Sequence, residues 1–269
     1  AEVRDGLASL ERAEVVGPEA EPGRWSFRHA LVREAAYESM PEDDRRRVHE
    51  AVAGLYDRRG EPPEVVARHY EAAGGQTEAA QALVLAARRA LERGVPALAL
   101  ALADRAVPLA GDPVVQARAW AYASGASSMI GDLPRAASLG ADAMQVLSPE
   151  SEEWFMAAYG PCLASYQLDT SRVPAVTRAL VSTRPGAVPP TILSAYAFSA
   201  CILVLYGVSA TRPVAQQVVQ VGRDVAEAHG VDAEPFLRPL ETVLAVVALR
   251  EGDVAEGRRH AVSALAWCE

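Results

Sequence analysis

Lysine and asparagine are both absent from this chain of 269 residues. All of its side-chain positive charge therefore comes from arginine and histidine. A phosphate-binding P-loop needs a lysine to reach the β- and γ-phosphates, so none can be built here. Schiff-base catalysis is excluded for the same reason. The joint absence reads as codon bias in a GC-rich genome rather than selection for chemistry. Aromatic residues make up only 6% of the chain, and β-branched runs are scarce, which removes the usual material of sheets. Cysteine is rare too. Cys162, Cys201 and Cys268 lie far apart in apolar helical stretches, with no CxxC or metal-ligand spacing. They are expected to be buried free thiols in a reducing compartment, which points to a cytoplasmic protein.

What is abundant is alanine, the best helix former, and the composition predicts an all-α fold. The net charge of −9 argues against a bare nucleic-acid binder. The stretch 185–211 carries no charge, a length that raises the question of a membrane span. It also holds Pro189, Pro190, three serines, Tyr196, Tyr206 and Gly207, with no arginine cluster marking one side. A buried bundle helix is the expectation. The first residues already follow a helical pattern, and the last, Trp267-Cys268-Glu269, carry no stop signal. The chain thus reads as a fragment of a larger protein.

Three segments follow from the patterning. In 1–40, Val3, Leu7 and Leu10 share a helical face. Val15-Val16 and Trp25-Ser26-Phe27 then flank a turn-prone Gly17–Gly23 stretch, and a second helix begins near Ala30. Helix, hairpin, helix is the order of the C-terminal part of a winged-helix domain with a short β-hairpin. Its first helix sets Arg4 and Arg12 against Glu2, Asp5 and Glu11, so protein packing is expected and direct nucleic-acid binding is not. Segment 41–75 reads as two linking helices. Pro41 and the acids Glu42, Asp43 and Asp44 open the first, and Val48, Ala51, Val52 and Leu55 are its expected buried stripe. Arg45, Arg46 and Arg47 form a solvated face that pairs with those acids one turn away. The second runs from Pro63 to Ala73 and ends at Gly74-Gly75.

From Gln76 to Glu269 the chain becomes a series of helix pairs divided by Gly94, Gly131, Leu168, Gly207 and Gly252. These markers stand 37, 37, 39 and 45 residues apart. A two-helix unit of this period is the mark of a helical solenoid. Small residues recur at fixed offsets after the markers: Ala99 and Ala106, Ala136 and Ala143, Gly257 and Ala264. Trp120 and Tyr196 precede their glycines by the same interval and would fill space between helices. The set resembles the tetratricopeptide repeat, with about five units, the last read as truncated, each longer than the standard repeat of about 34 residues.

One ordered run carries a sharper resemblance. Phe27, His29, Leu31, Val32, Arg33, Glu34 and Tyr37 come first, then Arg46, Arg47 and His49, then Ala67, His69, Tyr70, Ala73 and Gly74. This run is similar to the downstream half of signal-transduction ATPases of the STAND class. Within that class it resembles the large ATP-binding LuxR-type regulators, such as maltose-activator-like transcription factors, and the ATPase modules fused to cyclases or kinases. The likeness covers Ala1 to about Ala110. It implies a nucleotide-binding domain elsewhere in the parent protein, acting in cis, with ATP or ADP as that domain's ligand and no cofactor in this chain. In the family a histidine at the wing-to-helix junction meets the β-phosphate of ADP. His29 occupies that junction, with Arg28 and Ala30 where the Met-His-Asp motif of plant immune receptors has methionine and aspartate.

No catalytic constellation is found. His49-Glu50 lacks the second histidine of HExxH, His69 has no companion in sequence, and no GxSxG occurs. His229 and His260 fall in repeat helices, where surface or capping roles are expected. Glu152-Glu153 open a helix, where the macrodipole accounts for them. No metal site and no enzyme activity are expected. The expected role is a sensor and scaffold whose repeat groove binds an effector protein, a small molecule or a neighbouring protomer. Candidate groove residues are Arg118, Tyr122, Tyr159, Tyr166 and Tyr196, on the first helix of each pair. The alternative is a freestanding tetratricopeptide adaptor for a peptide or partner protein.

Overall fold

The computed structural model of the protein describes residues 2–20, 24–167, 173–207 and 211–265. The all-α expectation is met. Among the described residues the only sheet is an antiparallel pair, β1 (Val16–Pro18) and β2 (Trp25–Phe27), with Val16 opposite Phe27.

The pair lies between α1 (Glu2–Arg12) and α2 (Ala30–Ser39). Helix α1 ends in a Schellman turn, with Val15 N–H donating to Leu10 O at 3.0 Å and Glu14 N–H to Glu11 O at 3.0 Å. Glu14 takes the left-handed position there, at φ 57°, without being glycine. In this unit Val16 is buried, whereas α2 has no buried residue at all.

Helices α3 (Glu42–Arg59) and α4 (Pro63–Ala73) follow, and each ends on a left-handed glycine, Gly60 at φ 70° and Gly74 at φ 83°. Arg46 pairs with Glu42 and Arg47 with Asp44, as the spacing predicts. The predicted buried stripe of α3 is corrected. Val48 and Leu55 are exposed at 49% and 37%, whereas Ala53 is fully buried. The inner face runs instead through His49, Ala53 and Tyr56. Polar His49 and Tyr56 sit on it because α4 brings His69 to meet them.

The remaining helices are α5 (Gln76–Glu92), α6 (Pro96–Ala106), α7 (Pro113–Ile130), α8 (Leu133–Val146), α9 (Glu152–Gln167), α10 (Val173–Ser182), α11 (Ile192–Tyr206), α12 (Arg212–His229), α13 (Glu234–Arg250) and α14 (Val254–Leu265). Their starts are explicit in the sequence. Asp112 caps α7, Asp132 caps α8 and Thr191 caps α11, each side chain accepting a backbone N–H of the first turn. Of the turn markers, Gly94, Gly131 and Gly252 are left-handed, but Gly207 is right-handed at φ −65°. Leu168 lies outside the described residues. The uncharged stretch 185–211 divides into a 3₁₀ turn at Pro185–Ala187 and the buried α11. Among the described residues no helix is long and apolar enough to cross a membrane.

Two contact patterns coexist. Through most of the array a helix packs on its successor, and the alternate helices α5, α7, α9, α11 and α13 also pack on one another in sequence. Small residues permit the close crossings. Ala99, Ala106, Ala136 and Ala143 are fully buried, as their offsets predict. The tightest point joins α7, α8 and α9. A Cβ at Gly140 would strike the Ala157 carbonyl oxygen, and one at Gly160 would lie 2.7 Å from the Ala136 carbonyl oxygen. Pro161 contributes, because its missing N–H leaves the Ala157 carbonyl without its helical donor. Ser124 Oγ fills the adjacent need by donating to Ala136 O at 2.7 Å. Farther along, Phe198 stands between Phe155, stacked at 5.9 Å, and Phe236, edge-on at 5.4 Å.

Candidate functional site

The residues singled out in the repeat helices fall on the alternate row. Tyr122 of α7 is only 1% exposed. Its hydroxyl faces Glu152 Oε1 at 3.5 Å. Glu152 lies in the first turn of α9, where a carboxylate is favoured by the free N–H groups. Arg88 of α5 reaches the same carboxylate. Its Nη2 donates to Oε2 at 3.1 Å, and its Nε lies 2.7 Å from Oε1. The Nε–H is not aligned with that oxygen, so this second contact is an ion pair and the Nη2 bond supplies the direction. Burial would lower the pKa of Arg88, but Glu152 outweighs it and the net shift is upward. Glu92 adds a further ion pair to Arg88 at 3.3 Å.

One residue along α9, Glu153 pairs with Arg118 of α7 at 3.3 Å. Burial, and then Glu153 and Glu152, push the Tyr122 phenol well above its ordinary range, so it stays a neutral donor. Tyr159 and Tyr196 face each other with ring centroids 5.6 Å apart. Burial, and then Tyr196, raise Tyr159 to about 12. Burial raises Tyr196 as well. The structure therefore places Tyr122 in the packed interior and Tyr159 and Tyr196 half-buried against each other. Arg118 is exposed. Tyr166 belongs to α9, and its side chain lies outside the described residues. The row offers Arg88, Glu92, Arg118 and Glu153 as its polar groups, with tyrosines that serve packing.

Arg88 and Glu152 were not anticipated as partners. In the sequence the helix dipole by itself accounts for Glu152. The two residues are 64 apart in sequence, and no local rule joins them. The available signal was weaker: an arginine on the apolar face of α5 that needed a counter-charge once buried.

His29 is the N-cap residue of α2, in extended conformation at φ −127° and ψ 128°, and its side chain caps nothing. It is exposed, and its carbonyl accepts Arg33 N–H at 3.2 Å.

His69, companionless in sequence, has a companion in space. Its Nδ1 lies 2.9 Å from Nδ1 of His49. His49 Nε2 lies 2.9 Å from the Tyr37 hydroxyl. The edge of one ring meets the face of the other where Tyr56 packs on His69, at 5.4 Å. Beside this group lies a cleft of about 320 Å³ lined by Tyr37, Glu42, Arg45, Arg46, Glu71 and Gly74. In the last helices, His260 bridges Glu241 of α13 at 2.6 Å and Glu256 of its own helix at 3.0 Å. His229 falls in the last turn of α12. Cys162 and Cys201 are buried free thiols, with Thr177 Oγ1 3.3 Å from the Cys201 sulfur. Cys268 lies outside the described residues. Among the described residues no three metal-ligating side chains converge.

No protein-family model matches this chain, and no curated protein matches it in sequence.

Proposed function

We propose that this chain is a non-catalytic sensor and scaffold segment of a STAND-type ATPase regulator, of the kind that controls transcription. In this reading residues 76–265 form a tetratricopeptide-like solenoid of helical hairpins. The observation that carries the reading is the alternate packing of α5, α7, α9, α11 and α13, each also touching the intervening helix of most pairs. Stacked hairpins generate that pattern, and it leaves one row of helices to line a shared surface. The recurrent small residues at the crossings support it, as does the helix–hairpin–helix order of residues 2–39.

The alternate row is the proposed contact surface for an effector protein, a small molecule or a neighbouring protomer. Arg118, exposed at the Glu153 pair, is its leading contact residue, since arginine suits recognition surfaces. Coupling would work by population shift: an effector that favours one packing of the segment against a nucleotide-binding domain biases the switch. His29, exposed at the start of α2, is the proposed contact to a phosphate of ADP held by that domain. The two buried thiols support a cytoplasmic setting.

The test is calorimetric titration with ADP and ATP of this chain and of the parent protein. The chain alone should show no binding. The parent should bind ADP, and His29→Ala should weaken it about tenfold. Tight ATP binding by the isolated chain would defeat the proposal. A parent with no nucleotide-binding domain would leave the adaptor reading in its place.

A further inference from the structure

We propose that Tyr37, His49 and His69 form a proton-sharing clasp that holds α2 to the α3–α4 pair and releases it when both imidazoles become charged. The inference stands on its own geometry and does not rest on the regulator reading.

Two Nδ1 atoms at 2.9 Å must share one proton, one ring donating and the other accepting. The far nitrogen of His49 meets the Tyr37 hydroxyl at the same distance. With both rings neutral, Tyr37 donates to Nε2 and His49 donates Nδ1–H to His69; the reverse arrangement works equally. One added proton is also tolerated. A charged His49 donates from both nitrogens, to the Tyr37 oxygen and to His69. A second proton is not tolerated, because two N–H groups and two like charges then face each other across the same gap.

Among the described residues no carboxylate is hydrogen-bonded or ion-paired to either imidazole. From α4, Arg68 acts on His69; from α3, the Arg45 guanidinium lies 5.4 Å over the Tyr37 ring, and the Tyr56 ring covers one side of His69. The acids Asp57 and Glu50 of α3 and Glu78 of α5, the helix packed on α4, bear on the neighbouring Tyr70, as does Arg58. The cleft carboxylates Glu42 and Glu71 are already engaged, by Arg46 and by Arg105. In keeping with this, burial, then His49, then Arg68 hold the His69 pKa below the ordinary histidine value.

Releasing the clasp matters because α2 has little else. None of its residues is buried, and its main packing partner is β2 of its own unit. The Tyr37–His49 bond and the Arg45–Tyr37 stack are the side-chain ties from α2 to α3. Opening them frees the N-terminal unit to reorient about Met40-Pro41.

Hydrogen exchange of the full chain, corrected for intrinsic rates, tests this. Peptides covering α2 should exchange about five- to tenfold faster at about pH 5 than at about pH 7.5, while α7 and α9 stay unchanged. Tyr37→Phe keeps the ring and removes the hydroxyl; at neutral pH it should show the fast α2 exchange already, with no further rise in acid. His69→Phe leaves the Tyr37–His49 bond and removes the second charge, so it should keep α2 slow at both pH values. Equal α2 protection at both pH values, an inert Tyr37→Phe, or an acid-induced rise in α2 exchange that persists in His69→Phe would each overturn the clasp.

Discussion

The N-terminal unit of residues 2–39 and the α7–α9 crossing are built from much the same residue types, yet they bury them to opposite degrees. In the first, Leu31 is 78% exposed, and Leu10, Trp25, Phe27, Val32 and Tyr37 are all exposed too. In the second, Ala117, Ala121, Phe155, Met156 and Ala157 are all at or near zero. The difference lies in what each helix has to lean on. Helix α9 packs on α7, α8, α10 and α11, whereas α2 leans mainly on a three-residue strand. Apolar side chains stabilise a structure only in proportion to the area removed from water, so stability concentrates in the array. The N-terminal unit depends on local hydrogen bonds and on the few side chains that tie it to α3.

The largest break in this contrast should come from the aromatic core. Phe198→Ala removes a ring packed between two others and should cost about 3–5 kcal/mol, against about 0.5 kcal/mol or less for Leu31→Ala. Urea denaturation followed by circular dichroism measures both, and similar losses would erase the distinction drawn here. Next is Gly160→Val. Its side chain would meet Ser124 and the α8 backbone, and it should lose about 3 kcal/mol or more in the same assay. Glu152→Gln should cost less, about 1.5 kcal/mol, because the Arg88 charge loses its counter-ion while Glu92 remains beside it. The loss should persist at high salt if the pair is as sheltered as its geometry indicates.

Acid should act on the other region. His69 binds its proton less readily when folded, so the unfolded chain holds more protons as the pH drops. The stability of the α3–α4 pair is therefore complete above the ordinary histidine value of about 6.5 and is lost as pH falls from there towards the lowered folded value. A melting profile that is flat across this range in wild type, or equally sloped in His69→Phe, would contradict the sign. The last effect expected is a gain. Gly6→Ala in α1 meets nothing within 4 Å and should stabilise that helix by about 0.5–1 kcal/mol, read as local exchange protection.

Much of the architecture was legible beforehand. The order helix, hairpin, helix, the limits of α4 and the small-residue offsets at Ala99, Ala106, Ala136 and Ala143 all follow from caps, glycines and spacing. The inner face of α3 was not legible. Its apolar residues Val48 and Leu55 pointed one way, but the helix turned His49, Ala53 and Tyr56 inward, where α4 offered His69 as a partner. The place of Tyr122 was not legible for a related reason. Tyrosine at a recurring position suits recognition and inter-helix filling alike, and for Tyr122 only the burial by neighbouring helices separates the two.

By itself the amino-acid sequence determined that this chain is mostly helical, where α4 starts and stops, and which chemistries are impossible for want of a lysine. Those properties depend on residues within a turn or two of one another, or on composition alone. Tertiary structure alone decided that Arg88 meets Glu152, that His49 meets His69, and that Gly140 and Gly160 bear backbone rather than empty space. Such meetings depend on how helices far apart in the chain cross, and the crossing is set by the summed packing of all their side chains rather than by any one of them.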